Sequence, residues 1–192
     1  MDSDLESELR QLREQATTHV AWWSIRTPLR TMIYHLTRGR IDKRPRPLLG
    51  DLPRLNSPWQ DTDSGRYFRW RCRQANLRGD EAFVVEYIVC PHCRIGWVDR
   101  PYTNESYQRH GLAAAGFHAL RVEHPEMTAW YAASGHMPDS KAFWAAVGVG
   151  VIGGYSSQEL CMHIAHQGGL LPGWVLKRRV RERRTEDRER RI

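Results

Sequence analysis

The sequence predicts an α/β fold: a mixed, mostly antiparallel central sheet flanked by helices, behind a helical N-terminal extension. Three observations predict it. Between Tyr67 and Thr103 the chain holds three strand-like runs separated by short turn signals, the pattern of a hairpin meander. A helical apolar pattern then spans Gln108 to Glu123 and stops before Pro125, because a proline disfavours helix in the residue ahead of it. A further strand run and a short capped helix follow between Met127 and Val147, so strands and helices alternate in the second half.

Each element has a local reason. Leu5, Leu9, Leu12 and Ala16 fall on one stripe of a helix over residues 4–20. Thr27-Pro28 reads as a cap with a first-turn proline, Leu29, Met32, Ile33 and Leu36 as the next apolar face, and Gly39 as its stop. Pro45, Pro47, Pro53 and Pro58 mark residues 43–65 as an irregular connection. No strand is evident upstream of Arg66. From there Tyr67–Gln74 alternates as a half-buried strand would, Asn76 to Asp80 turns, and Ala82–Cys90 and Arg94–Thr103 form the next two strands. Met127–Ala133 is a fourth strand. Asp139 or Ser140 caps a helix that ends before Gly148. Val149–Ile152 and Leu160–Ala165 are read as the last two strands. The organisation is then 1–65 helices and proline-rich connection, 66–170 core, and 171–192 a charged tail.

Composition narrows the function classes. The chain has 192 residues and is 41% hydrophobic, enough for one domain with a real core. It contains no run of eighteen apolar residues and begins with a polar, acidic segment; neither a membrane span nor a signal peptide is expected, and a cytoplasmic location follows. Of the net charge of +7, Lys177 to Arg191 supplies nine basic against four acidic residues, or +5. Such a tail suits nucleic acid or another acidic surface. It equally suits a solvated helix whose Glu182, Glu186, Asp187 and Glu189 pair with neighbouring arginines.

The most informative stretch is Tyr107-Gln108-Arg109-His110-Gly111-Leu112-Ala113, a Q-x-x-G-x-A pattern between a strand and a helix. The first amides of a helix have no partner within it and carry partial positive charge. A glycine there lets an anion approach the backbone. This stretch, the meander before it and the Ser140-Lys141-Ala142-Phe143-Trp144 to Gly148 segment together resemble the GCN5-related N-acetyltransferase superfamily over about Tyr67 to Ile164. The resemblance implies an acyl-CoA N-acyltransferase-like sheet, acetyl-CoA as co-substrate, and acetyl transfer to a primary amine whose identity is open. It implies that Gln108, Arg109, His110, Gly111, Leu112 and Ala113 hold the diphosphate, that Tyr102 and Thr103 meet the pantetheine arm, and that Ser140 and Trp144 lie in the second cofactor landmark. Where the family often has a tyrosine as general acid, this chain has Trp144.

An acceptor amine must lose a proton before it attacks a thioester. The resemblance implies a carboxylate on the strand running into Thr103, which makes Asp99 the candidate base, with Glu86 on the neighbouring strand as the second candidate. The competing reading makes Asp99 an exposed strand-end residue paired with Arg100. Tyr155 would serve as acid only if the chain folded back over the site. A non-catalytic acyl-CoA-binding module is one alternative function.

Three other motifs compete. Cys90-Pro91-His92-Cys93 matches a thiol-disulfide tetrapeptide, but that chemistry needs a helix after the first cysteine, and Arg94 to Val98 reads as strand. The simplest reading is a tight turn with two thiols and no metal. A zinc knuckle would require Cys161 with His163, or His166, as further ligands. With the basic tail, such a knuckle gives the other alternative, a nucleic-acid-binding protein. Gly148 to Gly153 spells G-x-G-x-x-G after a helix, the wrong context for a dinucleotide site. Trp22-Trp23 is expected to pack N-terminal helices onto the sheet.

Overall fold

The computed structural model describes residues 3–23, 57–64 and 70–167. The expected helix at Thr27–Gly39, most of the proline-rich connection, the side chain of His166 and the basic tail lie outside the described residues.

Strands β1 (Val20–Trp23), β2 (Trp59–Asp63), β3 (Arg71–Leu77), β4 (Asp80–Cys90), β5 (Ile95–Thr103) and β6 (Ala129–Ala132) form one six-stranded sheet in sequence order. The pairs from β2 to β5 are antiparallel, and the two outer pairs, β1 with β2 and β5 with β6, are parallel. Helix α1 (Ser3–Glu14), α2 (Leu112–Glu123), α3 (Lys141–Val147) and α4 (Met162–Gln167) accompany it. The mixed, mostly antiparallel sheet of the expectation is therefore present. Among the described residues no helix is long and apolar enough to cross a membrane.

The meander forms as the sequence pattern requires. A tight turn joins β3 to β4 through Arg78 and Gly79, both in the left-handed region at φ 53° and 89°, which matches the twist of a two-residue hairpin. On one face of the sheet Trp59, Ala75, Phe83, Val85, Tyr87 and Val98 pack with Leu9 and Leu12 of α1 and Phe117 and Leu120 of α2. Burying each large side chain of that set stabilises the fold by about 1.5–3 kcal/mol. Gly116 lets α2 approach the sheet: a Cβ there would stand 2.4 Å from the Phe83 ring. The other face carries a smaller cluster of Trp70, Ile88, Cys90, Trp97 and Ile164.

A buried ionic chain fastens the first face. The Arg73 guanidinium, fully buried, reaches Asp61 at 3.1 Å and Glu123 at 2.5 Å, and the Tyr87 hydroxyl donates to Asp61. Burial pushes the Asp61 carboxyl up, against the opposing pull of Arg73 and Tyr87. The Trp59 indole donates to the Leu12 carbonyl at 2.7 Å, so the end of α1 is tied to β2.

Three expectations need correction. Two strands lie upstream of Arg66. Val20–Trp23 follows α1 after a single 3-10 turn, and Trp59–Asp63 interrupts the proline-rich segment. The sequence Trp-Gln-Asp-Thr-Asp looks irregular because its polar side chains are buried rather than exposed, Asp61 in the ionic chain and Gln60 against Gln74. Trp22 accordingly sits on strand β1, with 56% of its surface exposed, instead of packing a helix onto the sheet. The last two strands do not form. Residues 148–155 make successive turns, with Gly150, Gly153, Gly154 and Tyr155 all at positive φ. Residues 152–158 run along β6 and bond it through Trp130 and Ala132, with one bridge at Ser157. That occupies the free edge, so Leu160–Ala165 has no strand to join and its short apolar run coils as α4.

Candidate functional site

Chain geometry between Thr103 and Ala115 builds the site. After β5 the Asn104 side chain accepts from the Ser106 amide at 3.1 Å and caps a 3-10 turn over Glu105–Tyr107. Tyr107 is buried, with its hydroxyl 3.5 Å from Asp80. Gln108 is extended and its side-chain amide donates back to the Thr103 carbonyl at 3.1 Å. Arg109 is left-handed at φ 64°. Those two conformations delay the helix, which begins at Leu112 rather than at Gln108. Gly111 occupies the cap position at φ 77°, and its carbonyl accepts the first helical bond from Ala115 at 3.0 Å. Left-handed geometry favours glycine there because a Cβ would crowd the next carbonyl.

The amides of Gly111, Leu112, Ala113 and Ala114 consequently have no intrahelical partner. Among the described residues no acceptor meets them. Gln108, Arg109 and Gly111 are exposed and His110 is half-buried. Leu112 turns its side chain into the core, and among the described residues no strand pairs with the stretch.

A residue that the sequence did not single out joins this turn. The Arg13 side chain, from α1, donates to the His110 carbonyl, and its Cδ lies 3.4 Å from where a Gly111 Cβ would stand. It brings a permanent cation beside the free amides. His110 also meets α1, with Nδ1 3.2 Å from Glu6. No local signal in the sequence links α1 to a turn 97 positions later.

Strand β5 supplies the second component. Its pairing with β6 covers only Ile95–Val98, and the last bond on that side runs from the Ala133 amide to the Val98 carbonyl at 2.9 Å. Among the described residues no strand pairs with Asp99–Thr103 on that edge. A bulge sits at its start. Glu86 pairs with Asp99 and Val84 with Tyr102, so Arg100 and Pro101 on β5 oppose Val85 alone, and Arg100 takes φ 48°. Bulges bend a strand and re-aim its side chains. Tyr102 is 51% exposed beside the open edge, which leads on to the start of α2.

Two carboxylates stand opposite each other beside the bulge. Asp99 is 7% exposed and Glu86 8%. The Ser134 hydroxyl donates to Asp99 at 2.5 Å, and Arg100 is 3.7 Å away. Asp99 is thus buried and hydrogen-bonded, with Arg100 only a loose neighbour. The Ser64 hydroxyl donates to one oxygen of Glu86 at 2.7 Å, and the other oxygen is buried without a partner among the described residues.

The remaining candidates have partners of their own. The Ser140 hydroxyl donates to the Met137 carbonyl at 2.8 Å. The Trp144 indole is buried against Phe117, Phe143 and Tyr155 and stacks on His136 at 4.5 Å. Tyr155 is fully buried and bonded to Arg121 at 2.6 Å. Burial pushes its phenol up, while Arg121 pulls it down. It belongs to the aromatic core and does not fold over the open edge. Cys90, Cys93, Cys161 and His163 do come together, within 4.8 Å of one another. They lie at the opposite end of the β4–β5 hairpin, about 25 Å from Thr103 at the usual rise of a strand.

No protein-family model and no curated protein sequence matches the chain. Among solved structures it is similar to the E. coli protein YhhK, a candidate N-acetyl transferase determined in solution with coenzyme A bound. That similarity covers 42% of this chain and 64% of the other, with 19% sequence identity and a TM-score of 0.37. It spans less than two-thirds of the other chain's length.

Proposed function

We propose that the protein is an acyl-CoA-dependent N-acyltransferase that moves an acetyl group from acetyl-CoA to a primary amine. The observation that carries this reading is the start of α2: free amides behind a left-handed glycine, at the end of a strand whose outer edge is open. The diphosphate of the cofactor sits on the amides of Gly111–Ala114, where dipole and hydrogen bonds favour an anion. Arg13 supports it from α1. The pantetheine arm lies along Tyr102 and Thr103 as an added strand would. This leads the thioester toward the bulge and the two carboxylates.

The reaction there needs a base and a held carbonyl. Asp99, or Glu86 through its unpartnered oxygen, takes a proton from the acceptor ammonium. The free amine attacks the thioester carbon, a C–N bond forms, and the C–S bond breaks. The departing thiolate takes a proton from the amine nitrogen or from water, since Trp144 and Tyr155 are committed to the core. Holding both reactants side by side supplies much of the acceleration, and backbone donors at the bulge stabilise the developing oxyanion.

Calorimetry with acetyl-CoA tests cofactor binding, and release of free thiol in the presence of an amine panel tests transfer. Saturable binding with amine-dependent release supports the proposal. No binding at millimolar ligand removes it. Binding without release with any amine favours the second reading, a non-catalytic acyl-CoA-binding module. The committed Trp144 and Tyr155 side chains support that second reading.

A further inference from the structure

The geometry points to a structural zinc site formed by Cys90, Cys93, Cys161 and His163. The C-x-x-C pair brackets the turn between β4 and β5, in which Cys90 is the last residue of its strand and Arg94 takes φ 56° to reverse the chain. The Cys93 amide donates to the Cys90 sulfur at 3.5 Å, the N–H···S contact that orients a thiolate toward a metal. Cys161 and His163 arrive from the start of α4. Their segment was expected to be a strand; Cys161 instead stands just ahead of α4 and His163 lies in its first turn, and both ligand atoms reach the turn. His163 Nδ1 already lies 3.2 Å from the Cys93 sulfur, and all four ligand atoms fall within 4.8 Å of one another. Tetrahedral zinc with three sulfurs and one nitrogen holds its ligand atoms about 3.5–3.8 Å apart. The cluster therefore needs only a small contraction to close on the ion.

The chemistry favours a structural ion. Three thiols and one imidazole complete the four-coordinate set and leave no open position for substrate. A redox pair would need Cys90 at the start of a helix, and it ends a strand instead. The location also supplies a purpose. Helix α4 has six residues, too few to persist alone. The apolar cluster holding it to the sheet is small: Trp70, Ile88, Cys90, Trp97 and Ile164 are its buried members. A zinc ion would fasten α4 to the hairpin and close the sheet face that carries Glu86 and Asp99. His92 lies against His163, ring centres 4.1 Å apart, and is not among the four clustered ligands.

The test uses the full chain, purified under reducing conditions from zinc-supplemented cultures. Elemental analysis should find about one zinc per chain, in keeping with a closed four-ligand site. Cobalt titrated into chelator-treated protein should give intense tetrahedral visible bands and a thiolate-to-cobalt charge-transfer band. Cys161→Ser and Cys93→Ser should lose the metal, whereas His163→Cys and His92→Ala should retain it. The cobalt titration of the unaltered chain stands even where a cysteine variant fails to fold. Background zinc together with no thiolate–cobalt band overturns the assignment. Full zinc in the Cys90→Ser/Cys161→Ser variant, or loss in His92→Ala alone, overturns it too.

Discussion

Replacing Gly111 by alanine separates what the residue does for the fold from what it does for a ligand. At φ 77° the added Cβ meets the left-handed penalty, about 1–2 kcal/mol for a non-glycine residue. Packing adds little, because the nearest atom, Arg13 Cδ, would be 3.4 Å away, an ordinary contact. For a chain of this size that penalty lowers the melting temperature by roughly 2–8 °C. Binding should suffer more. The methyl group stands where a phosphate oxygen must approach the amides. Losing one charge-assisted hydrogen bond of about 1.5–3 kcal/mol weakens acetyl-CoA by about 10- to 100-fold. Gly150→Ala is the control: φ is 72° and nothing lies within 4 Å of the added Cβ, so the same strain appears without a change at the amides of α2. Thermal melts and calorimetry on both variants give the answer. Equal loss of stability with affinity reduced only in Gly111→Ala is expected. Affinity within twofold of the parent in Gly111→Ala would refute the reasoning.

Further outcomes follow from other contacts. Asp99→Asn should lower kcat by about 10²- to 10⁴-fold, the usual contribution of a general base, with the acetyl-CoA KM nearly unchanged; unaltered steady-state kinetics would transfer the role to Glu86. Arg13→Ala should weaken acetyl-CoA, and raising the salt concentration should shrink the difference from the parent, since the lost contribution is largely electrostatic. Arg73→Ala removes the cation that offsets the burial of Asp61, so denaturant melts should show a loss of about 3–5 kcal/mol, while Arg73→Met with Asp61→Asn should recover most of it. Gly116→Val drives a side chain into the Phe83 ring and should destabilise by more than the 1–3 kcal/mol typical of overpacking, measured by thermal unfolding. Removal of Lys177–Ile192 should leave acetyl-CoA affinity unaltered by calorimetry.

What was legible in the sequence is what short-range physics decides. The β3–β4–β5 meander follows from β-branched and aromatic runs punctuated by Arg78-Gly79 and by the Cys90–Cys93 turn. Gly111 stood out as a glycine near a helix start, but the start itself was misplaced: it lies at Leu112 rather than Gln108, because Gln108 is extended and Arg109 left-handed. The missing parts depend on partners distant in sequence. β2 is written in polar residues whose burial makes sense only with their cross-strand partners, Arg73 and Tyr87 for Asp61 and Gln74 for Gln60. β1 is four residues long and makes a parallel pair across a long connection. Leu160–Ala165 is too short for its period to distinguish strand from helix, and the residues that deny it a strand partner lie in the preceding glycine turns. Within the site, Gln108 and Gly111 drew notice from their local pattern, and Asp99 through the family resemblance. Arg13 drew none, because its position depends on how α1 packs against α2. The orphaned oxygen of Glu86 arises from cross-strand register, which no single stretch encodes.

Amide nitrogen–proton spectra recorded during a coenzyme A titration test most directly whether the start of α2 grips a diphosphate. Saturable shifts concentrated at Gly111, Leu112, Ala113 and Ala114, reproduced by 3′-phospho-ADP and absent with acetyl-pantetheine, are the expected result. Unmoved signals for those four amides at saturating coenzyme A, or shifts confined to another part of the sheet, would contradict it.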